Sequence, residues 1–320
     1  MSIQWFPGHM NKARNEVKAI IPKVDLLIEV LDARIPYSSQ NPMIGELRGK
    51  TPVVKLLAKS DLADPARTKE WIEWHDKQTG IKARAITIEN RTKIRSLPGT
   101  FYSMVPEKQG NVQSLTAMIA GVPNVGKSTL INILAGRKVA KTGNEPAVTK
   151  GQQRINIGEG ITLLDTPGML WPKVENPRSG LRLAAVGSVK DTAMEYEDVA
   201  GFVAAYLIEH YPQAMVECFE MSETPAGVIE FLDDLGKRRG CLGRAGVIDY
   251  DRVSRIVVNE LRQGKIGQIT LETPAEIERE VAELVVHLSK KDEAKKAKKA
   301  KRKAAFKARN DAKKNSRRRR

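Results

Sequence analysis

The sequence predicts an α/β fold, with a mainly parallel sheet flanked by helices, followed by a small all-α domain. Three patterns carry this. Short, mostly apolar runs recur at residues 24–31, 52–58, 83–88 and 115–120, as parallel strands buried on both faces require. Segments with helical apolar spacing lie between some of them. From about residue 178 only helical spacing remains. Strands alternating with helices build a parallel sheet wrapped by helices.

Taken in order, the chain opens on an aromatic cluster, Trp5-Phe-Pro-Gly-His-Met10, and a helix over 11–21 stopped by Pro22. Composition alone makes Trp5 and Phe6 a core anchor and His9 a capping or surface residue. The first strand, 24–31, leads into Asp32-Ala-Arg-Ile-Pro36, at the strand end where ligands sit in open α/β sheets. The second, 52–58, ends in Ala58-Lys59-Ser60-Asp61. A helix over 65–78 has Pro65 at its start. The third strand, 83–88, ends in Thr87-Ile88-Glu89. Residues 91–113 hold Pro98, Gly99, Pro106 and Gly110 and read as connections. The fourth strand, 115–120, runs into a glycine loop and a helix over 128–135 that stops at Gly136. A polar, mobile-looking loop over 138–152 contains Thr149. A hairpin over 154–157 and 161–164 then ends in Asp165-Thr-Pro-Gly168. Helices are expected over 199–210, from Thr224-Pro225 to Gly240, over 250–263 and over 274–288. There is no internal repeat.

The glycine loop is the richest stretch chemically. Gly121-Val-Pro-Asn-Val-Gly126-Lys127-Ser128 fits GxxxxGK[ST], the phosphate-binding loop, in the strand–loop–helix context the motif needs. Its glycines let successive N–H groups turn inward as an anion nest at a helix N-terminus. Asn124, Val125, Gly126, Lys127, Ser128 and Thr129 are the nucleotide-contacting candidates. Lys127 serves the β- and γ-phosphates and Ser128 a magnesium ion. Asp165 suits a magnesium-linked carboxylate, Thr149 a second hydroxyl for that ion, and the Gly168 N–H the γ-phosphate. Two loops that let go when the γ-phosphate leaves make a switch. Lys59-x-Asp61 suits guanine: the carboxylate accepts from N1 and N2 and the lysine stem lies along the ring.

Charge separates the tail from the body. Residues 290–320 carry 17 Lys/Arg and 3 Asp/Glu, which is +14 of the total of +16. With one aromatic, Phe306, this tail cannot bury enough surface to fold alone and suits nucleic-acid phosphates. Lys237, Arg238, Arg239, Arg244, Arg252, Arg255, Arg262 and Lys265 make part of the helical region basic, as a solvated face or an RNA-contacting one. Two cysteines, Cys218 and Cys241, exclude a disulfide framework and offer no metal-ligand spacing. No apolar stretch approaches a membrane span, and the N-terminus lacks a signal-peptide pattern. A cytoplasmic location is expected.

One ordering is unusual. Lys59-x-Asp61 precedes the phosphate loop, whereas in ordinary guanine-nucleotide proteins base recognition follows DxxG. A sheet can be cut elsewhere and rejoined, because domain termini lie near each other at the surface. With the N-terminal Trp5–Met10 motif, Asp32-Ala-Arg34, Asp165-Thr-Pro-Gly168 and Gly264-Lys-Ile-Gly-Gln-Ile-Thr-Leu-Glu272, the chain closely resembles the YlqF family of ribosome biogenesis GTPases, circularly permuted members of the TRAFAC class. The resemblance covers about residues 3–285 and leaves out the tail. It implies a P-loop GTPase domain over 1–177 and a helical RNA- and ribosome-binding domain over 178–289, while composition makes 290–320 a disordered basic tail. It implies a GTP-hydrolysing factor acting late in large-subunit maturation on ribosomal RNA, and a monomer off the ribosome. Lys127, Thr149 and Gly168 are then catalytic. Met169 replaces the usual water-orienting glutamine, and His9 is the proposed substitute. Asn124 matches the asparagine associated with potassium activation in related GTPases. Two departures stand out: Ala58 replaces the family's Asn, and Thr87-Ile88-Glu89 replaces Ser-Ala-Lys, an element by which the resemblance implies Thr87 and Ile88 in the base site, the Ile88 N–H meeting guanine O6. The lost amide predicts weaker GTP binding than in Asn-bearing relatives, with guanine preference kept by Asp61. The rival readings are a nucleotide-dependent RNA-binding module with negligible hydrolysis and a metabolic P-loop kinase, for which no arginine-rich lid is evident.

Overall fold

A computed structural model describes residues 17–109, 114–140, 153–166, 174 and 176–291. Six strands form one sheet: β1 (Leu26–Asp32), β2 (Val53–Ala58), β3 (Ile81–Ala85), β4 (Leu115–Gly121), β5 (Gln153–Asn156) and β6 (Ile161–Asp165). Their order is β3-β2-β1-β4-β6-β5. All neighbours are parallel except β5, which pairs antiparallel with β6 as the expected hairpin. β1 and β2 are buried along their whole length. Within them, Glu29 and Lys55 are register partners and neutralise each other at 3.4 Å. A buried charge is tolerable only with such a partner.

Helices cover the sheet: α1 (Pro42–Leu47), α2 (Pro65–Asp76), α3 (Arg91–Arg95), α4 (Leu97–Met104) and α5 (Lys127–Ala135). Side-chain caps start three of them. Asn41 accepts from Met43 N, Asp64 from Ala66 N and Arg67 N, and Asn90 from Lys93 N. Residues 91–113 therefore do more than connect. Pro98 sits in the first turn of α4, where its missing N–H is one the helix leaves unpaired anyway. The third strand stops at Ala85, so Thr87 and Ile88 lie in the loop after it. The helix expected over 11–21 is described only over 17–20, before a 3₁₀ turn, Ile21–Lys23.

After β6 the chain is helical: α6 (Pro177–Ala185), α7 (Tyr196–His210), α8 (Pro212–Phe219), α9 (Val228–Arg238), α10 (Tyr250–Arg262) and α11 over 274–291. Sequence periodicity missed α1, α6 and α8, all short. α9 begins three residues after Pro225, with Glu230 closing back on Ala226 N at 2.8 Å. Gly236 on α9 lets two side chains in. A Cβ there would stand 2.9 Å from Ile248 and 3.0 Å from Val253. Phe219 and Phe231 meet edge-on at 5.1 Å in this core. No helix among the described residues is long and apolar enough to cross a membrane. The division expected at 177/178 follows element type. By packing, the described residues divide instead after Pro274.

Candidate functional site

The register of the sheet sets the site. Val30 on β1 is opposite Gly121 on β4, Asp32 on β1 is opposite Ala58 on β2, and Ile119 on β4 is opposite Asp165 on β6. Parallel strands point their carboxyl ends one way, so these three motif-bearing ends share one edge. β2 and β4 flank β1, which separates their ends by roughly 10 Å, two strand spacings. The base-recognition and phosphate loops, far apart in the chain, are brought to one edge.

At the phosphate end, glycine is needed at 121 because a Cβ there would stand 2.8 Å from Val30 O. Asn124 (φ +60°) and Gly126 (φ +97°) take the left-handed conformation, the alternation that turns N–H groups into a nest. Val125 is buried in the core, which leaves only its backbone to a ligand. Lys127, Ser128 and Thr129 form the first turn of α5. Lys127 is buried, and its Nζ forms an ion pair with Asp165 Oδ1. Asp165 is fully buried. Burial raises its pKa above the usual 3.8, with Lys127 opposing. Its Oδ2 has no partner among the described residues. Thr166 holds the strand end by giving its N–H and hydroxyl to Ile119 O, at 3.3 and 2.9 Å. Asn124 Nδ2 donates to Gly187 O at 2.8 Å, in the turn after α6.

An unpartnered buried carboxylate oxygen next to the residue preceding Ser128 is a donor set that fits magnesium. Among the described residues no group of three or more His, Cys, Asp or Glu could hold a metal ion. Magnesium does not need one, since it takes one or two protein oxygens and completes its shell with phosphates and water. His9, Thr149, Gly168 and Met169 lie outside the described residues.

The base end is more heavily tied. Lys59 has φ +56°, and its Nζ meets Asp32 Oδ2 at 3.0 Å. Asp32 also accepts from Arg34 N, Nε and Nη2 at 3.1, 2.9 and 2.8 Å. Burial pushes the Asp32 carboxyl up, but Arg34 and Lys59 outweigh it and hold the group well below the usual carboxylate range. Ser60 gives its N–H and hydroxyl to Ile86 O. Ala58 presents only a buried methyl group. Ile88 is 56% exposed.

A strap over 264–273 returns from the helical region along this end. Gln268 Nε2 donates to Asp61 O at 3.2 Å and Ile269 N to Leu62 O at 3.1 Å. Asp64 N donates to Thr270 Oγ1 at 3.1 Å, and Leu271 N to Arg34 O at 2.8 Å. Glu272 is fully buried; its carboxylate accepts from Tyr37 N, Ser38 N and Ser38 Oγ. It faces Arg182 Nε at 3.6 Å, and its carbonyl accepts from Trp71 Nε1 at 3.1 Å. Sequence reasoning quoted Asp32, Arg34 and Glu272 within motifs but assigned them no chemistry. Their partners lie up to 235 positions away, and no local spacing encodes that.

The fold agrees with what known proteins show. Residues 116–232 match a family model described as 50S ribosome-binding GTPase. A ribosome biogenesis GTPase A of Priestia megaterium is 43% identical over 286 residues, covering 87% of this chain and 99% of that one. One of Thermotoga maritima is 31% identical over 275 residues, covering 86% and 96%. The crystal structure of GNP-bound YlqF from T. maritima superposes with a TM-score of 0.57 at 27% identity, covering 82% of this chain and 98% of that one. Identity of this order over nearly the full length of its relatives means that the chain belongs to the ribosome biogenesis GTPase A (YlqF) family.

Proposed function

We propose that this GTPase acts late in maturation of the large ribosomal subunit, in contact with its ribosomal RNA, and that the subunit and potassium both stimulate its hydrolysis of GTP. Off the ribosome it is a cytoplasmic monomer. The observation that carries the reading is the shared edge: the ends of β2, β1, β4 and β6 offer a base reader, a phosphate nest and a buried carboxylate side by side.

Each residue then has a task. The Asp61 carboxylate accepts from guanine N1 and N2, which adenine does not offer in that pattern. The Lys59 stem lies along the ring and the Ile88 N–H meets O6. The phosphate-loop amides and Lys127 take the charge of the β- and γ-phosphates. Ser128, Thr149 and Asp165 are the residues that would hold magnesium, which when bound neutralises charge on the phosphate oxygens. Asn124 would hold potassium, which would supply the positive charge that an arginine finger supplies in other GTPases. Met169 has no group to orient water, so that task falls to His9. Gly168 meets the γ-phosphate and the chain then runs into α6, which links nucleotide state to the helical region.

The RNA reading is supported by charge. Arg238, Arg255, Arg262 and Lys265 are ion-paired to acidic neighbours. Lys237, Arg239 and Arg244 are exposed, and the sequence beyond residue 291 is strongly basic.

The test is GTP turnover by the full chain with and without purified large subunits, in potassium and in sodium. Subunits and potassium are each expected to raise the rate, and ATP to be a poor substrate. A rate indifferent to both, or ATP hydrolysed as fast as GTP, overturns the proposal.

A further inference from the structure

Lys59 adopts an uncommon backbone conformation. Its φ of +56° lies in the left-handed region, which lysine seldom occupies without something to hold it there. The neighbours in its loop do not supply a side-chain tether for it. Ala58 has no polar atom, and Ser60 is committed to Ile86 O. The ammonium instead turns back across the sheet end to β1 and meets Asp32 Oδ2 at 3.0 Å.

That carboxylate is unusually well fixed. Asp32 is the register partner of Ala58, so in a parallel pair the two side chains share a face. Its Oδ1 is engaged by Arg34 N and Nε and its Oδ2 by Arg34 Nη2. Its backbone N–H is held by Ser39 Oγ. Arg34 in turn donates to Leu261 O and accepts from Leu271 N through its own carbonyl. The Asp32 side chain is 1% exposed and that of Lys59 27%, so this is not a loose surface pair. Nor does Asp32 need the lysine for its own burial, because a forked guanidinium already satisfies it. The surplus contact serves Lys59.

We infer that Asp32 is a positioning residue for base recognition. It clamps the Lys59 ammonium so that the lysine stem forms a fixed shelf for the face of the guanine ring, while Asp61 reads the ring's edge. Arg34 holds Asp32 in place and, through Leu261 and Leu271, ties that clamp to the helical region. The inference rests on the guanine-nucleotide reading of the site.

A double-mutant cycle in the full-length chain tests it. Affinities for GDP, ATP and inorganic tripolyphosphate are measured for the unaltered chain, Asp32→Asn, Lys59→Met and the double variant. Each single change is expected to weaken GDP about tenfold, the effect of one charge-assisted hydrogen bond. The double variant should be no weaker than Lys59→Met alone. Tripolyphosphate, which touches only the phosphate loop, should bind all four equally, a result that general damage to the fold would not give. Additive losses, or tripolyphosphate affinity falling in step with GDP, overturn the role of Asp32. Should Asp32→Asn fail to fold, Lys59→Arg decides. Arginine can still reach Asp32, so it should recover most of the guanine preference lost in Lys59→Met; recovery of none overturns the clamp. An unaltered chain that binds ATP as tightly as GDP overturns the guanine reading as well, and so is distinguishable from a failure of the clamp alone.

Discussion

Asp32, Arg34, Arg182 and Glu272 at the base end of the site are fully buried and paired with one another or with backbone, through a strap that arrives from the helical region. At the phosphate end, Asp165 is just as buried but keeps one oxygen without a partner among the described residues, and Lys127 leans on the other. The base end is thus complete in itself, whereas the phosphate end has polar groups that a nucleotide and its metal would satisfy. This difference suits a switch. A reader of guanine should be in place before the ligand arrives, and a sensor of the γ-phosphate should not be finished without it.

The largest effect is expected where the base end is tied most tightly. Glu272→Ala removes the carboxylate that faces buried Arg182 and that accepts from Tyr37 N and Ser38. Taking one partner from a buried ion pair costs about 3–5 kcal/mol. Urea unfolding should show that loss, with GDP affinity reduced through the displaced 33–38 turn. A change below about 1 kcal/mol would mean that the strap rests on the base end without holding it, and the contrast between the ends would disappear.

Acid should separate the two ends next. Asp165 has its pKa raised above 3.8 by burial. The free fold therefore gains from a proton there in acid, and that gain is lost as pH rises through the raised pKa. Binding of a nucleotide with magnesium favours the ionised carboxylate, so it must expel that proton. Affinity for Mg–GDP should fall as pH drops from above the raised pKa toward 3.8, by up to about tenfold per unit. Asp32 has the opposite sign. Its pKa is held low by Arg34 and Lys59 despite burial, so its contribution to stability is intact above 3.8 and is lost only below. Titration of Mg–GDP affinity against pH checks this, with Asp165→Asn expected to be flat. A variant as pH-dependent as the unaltered chain would place the proton elsewhere.

The two ends also differed in how well the sequence revealed them. The phosphate loop is contiguous, and glycines at 121 and 126 with Lys127 between strand and helix encode its geometry locally. The sheet was legible for the same reason, since buried parallel strands leave apolar runs. The base end is built from residues that local patterns treat as ordinary. Arg34 and Glu272 read as surface charges by type, yet both are buried: Asp32 neutralises Arg34 from two residues away, while Glu272 meets Arg182 and the Tyr37 and Ser38 N–H groups, which lie far from it along the chain. The short helices α1, α6 and α8 escaped periodicity because six to nine residues give too few turns to show a face.

The smallest effect tests whether the phosphate end is as lightly tethered as it looks. A side-chain link from the phosphate loop to the helical region runs from Asn124 Nδ2 to Gly187 O. Gly187 lies in a left-handed turn (φ +80°) braced by Arg262, which donates to Ala184 O and Ala185 O and pairs with Asp191. Asn124 is itself at φ +60°, so alanine there would add backbone strain to the loss of the amide. Glycine adopts that conformation freely, and Asn124→Gly therefore isolates the side chain. One hydrogen bond contributes about 0.5–1.5 kcal/mol. Unfolding should register a loss of that size or less, while the ratio of turnover in potassium to that in sodium falls toward one, since the same amide is the proposed potassium site. A loss of about 3 kcal/mol or more would make this link as strong as the Glu272 network and erase the distinction between a preformed base end and a ligand-completed phosphate end. A small loss of stability with potassium stimulation intact would keep that distinction and move the potassium site away from Asn124.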